Sequence, residues 1–162
     1  MINGNPIDWA LRVCESIAFS LHCCIGLSEP WTGVMKGVTE GSLVYNNFFF
    51  PLAGIFLGTI AYLNFSSSNA VVIGVQCYIA AFHTGAVFTH LRVGHHPAAA
   101  AAPGIFIVLA FAVLAIRESF LFAVMATLAS VAVGVALGFV LVKPKEEHSA
   151  PLLSVLEEQE SE

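Results

Sequence analysis

Three polar side chains recur at seven-residue intervals in an otherwise apolar part of the chain, at Gln76, His83 and His90. Seven residues bring a helix to within about 20° of the same direction, so the three form one stripe in steps of about 10 Å. Amides and imidazoles can hydrogen-bond across helices or hold a cofactor. Because metal bonds are about 2 Å long, His83 and His90 cannot bind the same ion.

The first apolar segment repeats this pattern. Asp8, Arg12 and Glu15 can pair at i+4 and i+3, and His22 follows Glu15 by seven residues on the same face. Unpaired polar groups are costly in lipid. The two polar stripes are therefore predicted to face each other or a cavity.

The candidate cofactor-binding residues are His22, His83 and His90. Their simplest interpretation is that they are hydrogen-bonded packing residues, and the alternative is that one of them contacts chlorophyll, haem or a quinone. His95 and His96 lie nearby, where a metal or a lipid headgroup could bind, but no carboxylate or cysteine accompanies them at ligand spacing. No metal site and no catalytic residue is predicted.

The composition identifies the surroundings of these residues. Hydrophobic residues make up 57% of the 162 residues and charged residues only 10%, and the range 43–63 contains no charge. This composition is typical of a polytopic membrane protein in contact with lipids. The net charge of −5 offers no basic face for phosphates, so nucleic-acid binding is excluded.

The apolar runs predict an all-α, polytopic transmembrane helical bundle with a four-helix core and a fifth span, and a bundle of four spans is the alternative. Arg117, Glu118 and Ser119 divide the last apolar region, and Pro103 is predicted to start the regular part of the fourth helix. Residues 28–40 predict an interfacial helix with a capping Ser28, and residues 143–162 form an acidic soluble tail. The predicted spans are 8–27, 43–64, 70–91, 98–116 and 120–142.

The orientation rests on the distribution of basic residues. Five spans place four basic residues on the side of the tail and two on the other, which favours a cytoplasmic, stromal or matrix tail. The four are Lys36, Arg92, Lys143 and Lys145, and the two are Arg12 and Arg117. The first residues lack the basic start of a secretory signal and the character of a transit peptide, so we expect any address signal to be absent or already removed.

Residues 9–117 resemble the DoxX-like membrane family. The resemblance is carried by "PLAG" and by "GAVFTHLRVGHHPAAAAAPGIFIVLAFAVLAIR", in which Thr89, His90, Leu91, Pro103 and Arg117 match the family pattern. It implies a four-helix membrane bundle whose relatives act in quinone-dependent sulfur oxidation, redox homeostasis or membrane-protein assembly. The acidic residue that the family pattern has in the second span is missing from "PLAGIFLGTIAYL", and the fifth span and the tail are additions.

The sequence favours a small, non-catalytic accessory subunit of a larger membrane complex. Gly134 and Gly138 form a G-x-x-x-G frame that permits close helix contact. The predicted host is a photosynthetic or respiratory assembly in the thylakoid or mitochondrial inner membrane, with other integral subunits and structural lipids as partners. Two alternatives are a quinone-linked oxidoreductase subunit and a membrane-protein assembly factor. An apolar cluster in the tail is a further predicted partner-binding segment, formed by Leu152, Leu153, Val155 and Leu156.

Overall fold

Five α-helices lie within the residues that the computed structural model describes, 5–33 and 49–142. They are α1 (Pro6–Thr32), α2 (Phe49–Leu63), α3 (Asn69–Arg92), α4 (Ala98–Arg117) and α5 (Phe120–Leu141). The fold is an all-α helical bundle, as the apolar runs predict.

Short polar residues begin three of the helices. The Asn5 side chain accepts a hydrogen bond from the backbone N–H of Ile7 at 2.9 Å, and Pro6 occupies the first helical position of α1. Ser68 caps α3, and Ser119 caps α5 by accepting from the backbone N–H of Phe122 at 3.2 Å. These side chains satisfy amide groups that the first helical turn leaves without partners.

Four of the five described helices, α1, α3, α4 and α5, are long and apolar enough to cross a membrane. The fifteen described residues of α2 are equally apolar but span only about 22 Å at 1.5 Å per residue. Large apolar side chains on α5 point outward, where lipid rather than water would surround them. They include Phe120, Leu121, Met125, Leu128, Val133, Leu137 and Val140. The chain is an integral membrane protein.

Two helix ends differ from the expected boundaries. α1 continues to Thr32, with the Ser28 hydroxyl donating to the carbonyl of Ile25 at 3.0 Å inside the helix instead of capping a new one. The rest of the predicted interfacial helix, 34–40, lies outside the described residues. α4 begins at Ala98 and contains Pro103, because near the start of a helix proline removes a single backbone hydrogen bond without ending it.

The helices pack in two groups. α1 packs closely on α2, where a Cβ atom at Gly26 would lie 2.9 Å from the Cα atom of Gly54, so only glycine permits this approach. α3 packs on both α4 and α5, and α1 also contacts α4. A buried core joins the two groups. Its members are Phe19, Leu57, Ile60, Ala61, Val75, Ile79, Ala80 and Ala110.

Candidate functional site

Two arginines share one carboxylate at the end of the bundle where α1 begins and α4 ends. Arg12 donates from Nε to Asp8 Oδ2 at 3.1 Å, and its Nη2 lies 3.0 Å from the same oxygen. Arg117 approaches from α4, with Nε 2.8 Å from Oδ1 and Nη2 2.9 Å from Oδ2. Asp8 and Arg12 are buried, and the Arg117 side chain is 18% exposed. This cluster holds α1 against α4 by charge-assisted hydrogen bonds.

The same arginine reaches the start of α3. Arg117 Nη1 donates to Asn69 Oδ1 at 2.9 Å, and Asn69 Nδ2 donates to the carboxylate of Glu118. The turn between α4 and α5 is therefore tied to the first residue of α3. This polar contact therefore joins the start of α1, the start of α3 and the end of α4.

Asn64, the residue after α2, joins α1 to α2. Its backbone carbonyl accepts from Arg12 Nη1, and its side-chain Nδ2 lies 3.2 Å from the carbonyl of Arg12 and 3.0 Å from Glu15 Oε2. Nδ2 also lies 3.2 Å from Ser16 Oγ, and the Ser16 hydroxyl donates to the carbonyl of Ala61 at 3.3 Å. Asn64 is buried, so these contacts replace its hydration.

Glu15 and Gln76 form the deepest part of this network, and each is 0% exposed. Gln76 Nε2 donates to Glu15 Oε2 and to Asn64 Oδ1, both at 2.9 Å. Glu15 Oε1 and Gln76 Oε1 are buried and have no hydrogen-bond partner among residues 5–33 and 49–142. Within the same residues, the ion pairs connect Arg12 and Arg117 to Asp8, and none involves Glu15. We call Glu15, Asn64 and Gln76 the buried amide-carboxyl cluster.

Periodicity identifies part of this site. Asp8 and Arg12 pair at i+4, as the spacing predicts, and Gln76 faces the polar side of α1. Sequence reasoning missed Asn64, which ends an apolar run and is indistinguishable there from an ordinary turn residue. It used Arg117 for a helix boundary, the orientation and the family pattern but did not pair it with Asp8, because helical spacing on α4 contains no information about α1.

His83 is 4% exposed and lies among aromatic rings. Its ring stacks on Phe106 of α4 with centroids 4.6 Å apart, and it meets the edge of Phe19 of α1 at 5.3 Å. Nδ1 lies 2.9 Å from the carbonyl of Ile79, which can only accept, so Nδ1 carries the hydrogen. His83 thus occupies a helix junction, directed inward.

The other two candidate histidines lie elsewhere. His22 is exposed, and its Nδ1 donates to the carbonyl of Ala18 at 2.8 Å. His90 is half-buried, with Nδ1 2.9 Å from Nδ1 of His95. In the described part of the chain, no hydrogen bond joins any two of His22, His83 and His90. Whether any of them binds a cofactor stays a prediction.

The glycine frame of α5 lies against α3. A Cβ atom at Gly134 would lie 2.8 Å from Thr84 Cβ and 3.1 Å from the Gly85 nitrogen, and one at Gly138 would meet the ring of Phe88. This face is thus occupied within the chain. Binding of a partner through Gly134 and Gly138 stays a prediction. The other predicted partner-binding residues lie outside the described residues: Leu152, Leu153, Val155 and Leu156.

A groove between α1 and α2 opens on the outer surface. It has a volume of about 580 Å³ and a mostly apolar lining. Small residues are frequent in its wall, and Tyr62, which is 79% exposed, stands at its edge. The small residues are Ser16, Ser20, Cys24, Gly58 and Ala61. Ser16 belongs both to this wall and to the hydrogen bonds around Asn64.

No family model, curated protein or solved structure matches this chain. The chemistry of the site must therefore be inferred from its own residues. Among residues 5–33 and 49–142, no three histidine, cysteine, aspartate or glutamate side chains are grouped closely enough to hold a metal ion. Two polar features of the described bundle join its helices: the arginine-carboxylate contact at its end and the buried amide-carboxyl cluster beneath it.

Proposed function

We propose that this protein is a small accessory subunit of a larger membrane complex, and that the groove between α1 and α2 holds a transmembrane helix of a partner subunit. The observation that supports this proposal is the row of small residues in a groove that opens toward lipid. Helices associate in membranes where small side chains let two backbones approach closely. Gly58 on α2, opposite the exposed Ser20 and Cys24 on α1, provides such a surface, and the buried Ala61 forms the floor of the groove.

Two further features support a helix as the occupant. Ser20 is exposed in the groove and can hydrogen-bond to a neighbouring helix, a contact worth about 0.6 kcal/mol in membranes. Tyr62 stands exposed beside the groove, and amphipathic aromatic rings are enriched near the membrane-water interface. A partner helix would therefore find both close packing and polar contacts.

The host and the orientation belong to the same proposal. The basic residues Lys36, Arg92, Lys143 and Lys145 favour placing the tail on the stromal, matrix or cytoplasmic side. A photosynthetic or respiratory assembly is the proposed host, with the acidic tail as a second attachment. Membership of the DoxX-like family is a proposal as well, carried by the T-H-L-R block at residues 89–92.

The principal alternative is a quinone-linked oxidoreductase subunit. An apolar groove of this size also accepts the apolar chain of a quinone or a lipid. The test must therefore separate a protein occupant from a small apolar molecule. An assembly factor differs from both in binding immature clients transiently.

Cross-linking from the groove tests the proposal. In a variant that keeps only Cys24, which is exposed in the groove, a short photoactivatable maleimide should cross-link one defined membrane protein in native membranes. The control is a variant that lacks all four natural cysteines and carries Leu128→Cys on α5. Because this position is exposed, it measures the cross-linking that random collisions produce. Cross-links to lipid or quinone alone from Cys24 would contradict the proposal. So would equal protein cross-linking from both positions, whereas transient labelling of newly made proteins would favour the assembly factor.

A further inference from the structure

Two buried oxygen atoms in the buried amide-carboxyl cluster lack donors. Glu15 Oε1 and Gln76 Oε1 have no hydrogen-bond partner within the described residues, although both side chains are completely buried. Buried polar atoms in folded proteins are nearly always hydrogen-bonded. The unpaired acceptors therefore indicate that the cluster takes up a hydrogen-bond donor.

The charges around Glu15 limit what that donor can be. On α1, Arg12 contacts Asp8 and the carbonyl of Asn64, and on α4 Arg117 contacts Asp8. α3 contributes the neutral Gln76, and the residue after α2 is the neutral Asn64. With respect to the described residues, an ionised Glu15 would thus be a buried carboxylate with no cation within ion-pair distance, which is a strongly unfavourable state in a membrane protein.

We propose that Glu15 is a proton-binding site, with the proton on Oε1 at neutral pH. The hydroxyl so formed supplies a donor toward Gln76 Oε1, while Gln76 Nε2 continues to donate to Glu15 Oε2. The two side chains then make a reciprocal pair, in which each donates one hydrogen bond and accepts one. This assignment is independent of a partner helix in the groove.

Release of the proton would leave a charge inside the bundle. The Oε1–H bond breaks, the proton passes to water, and a carboxylate remains between α1 and α3. Because that carboxylate has no cation within ion-pair distance among the described residues, its charge would weaken the contact between the two helix groups.

Infrared difference spectroscopy of the full chain in lipid vesicles tests the site. Wild-type protein at neutral pH should show the carbonyl stretch of a protonated carboxylic acid, which shifts in D2O and disappears in Glu15→Gln. Glu118→Gln, at an exposed carboxylate, should retain the band. A wild-type spectrum that lacks the band, or one that keeps it in Glu15→Gln, would overturn the proposal. If Glu15 is instead ionised and a buried water donates to it, the wild-type spectrum lacks the acid band.

A second measurement keeps the test valid if a variant is poorly folded. In wild-type protein alone, raising the pH should convert the acid band into carboxylate bands, and lowering the pH should restore it. Thermal unfolding adds a comparison, because the amide of Glu15→Gln can reproduce both hydrogen bonds of a protonated acid. The thermal unfolding midpoint of Glu15→Gln should therefore equal or exceed that of the wild-type protein. A large fall in the midpoint would show that the site requires a carboxylate charge and would refute the proposal.

Discussion

Asp8 and Arg117 form a two-point ion pair between the first turn of α1 and the last residue of α4, 109 positions apart in the chain. Both carboxylate oxygens of Asp8 accept from the guanidinium, at 2.8 and 2.9 Å. Asp8 is buried and also contacts Arg12, so one carboxylate on α1 binds an arginine of its own helix and an arginine of α4. The pair thus holds α1 and α4 together at the end of the bundle that lies next to the buried amide-carboxyl cluster.

Replacing Arg117 with glutamine should destabilise the bundle. Breaking a buried pair costs about 3–5 kcal/mol, and partial exposure of Arg117 together with the remaining Asp8–Arg12 contact reduces the expected loss to about 1–3 kcal/mol. Thermal unfolding in mild detergent measures it. Glu118→Gln is the control, since Glu118 contacts Asn69 at the exposed edge. Equal midpoints for the two variants would show that the ion pair contributes little.

Gly134→Ala should lower stability more than Gly74→Ala. A Cβ atom at Gly134 would crowd the α3 backbone at Gly85 and the carbonyl of Ala81, whereas one at Gly74 has nothing within 4 Å. Overpacking costs about 1–3 kcal/mol, while alanine at an open helical position is neutral or favourable. Chemical unfolding of both variants decides the comparison. If Gly134→Ala remains fully stable and loses only its partners, then the glycine frame acts in association.

His83→Ala should destabilise the bundle, and His22→Ala should not. The His83 ring is stacked between α1 and α4, so its removal leaves a cavity that costs about 2–4 kcal/mol. His22 is exposed, and its hydrogen bond within the described part of the chain is to Ala18 of its own helix, so its loss should cost no more than about 0.5 kcal/mol. Thermal midpoints of the two variants measure the difference. Unchanged stability with loss of a quinone-dependent activity in His83→Ala would favour the oxidoreductase alternative.

Removal of residues 143–162 should leave the bundle inserted and folded. The described helices end at Leu141, and the deleted segment is acidic and polar apart from its small apolar cluster. If that cluster binds a partner, the truncated chain should co-purify with less of the complex, and replacing only Leu152, Leu153, Val155 and Leu156 with serine should have the same effect. Full retention of both variants in the complex would remove the tail from the proposed attachment.

The sequence by itself determined the membrane setting, the helical fold and the Asp8–Arg12 contact within α1, whereas the pairing of Arg12 with Glu15 that i+3 spacing predicts does not form among the described residues. Long apolar runs require a membrane and helices, the charged residues after Ile116 predict a helix break, and four-residue spacing pairs Asp8 with Arg12. The inward direction of Gln76 and His83 also follows from periodicity, because polar groups are costly in lipid, whereas His90 of the same stripe is only half-buried and contacts His95.

Only the tertiary structure decided which helices supply the remaining partners. It brought Asn64 to Glu15, Arg117 to Asp8, and Phe106 to His83. It also directed the glycine frame of α5 toward α3 instead of lipid. Spacing fixes which residues share one helix face but not which neighbour that face meets. In a membrane, hydrophobicity gives even less information about which face of a helix is buried. A helix such as α5 is apolar on all sides, so its buried face and its lipid-facing side have similar residues.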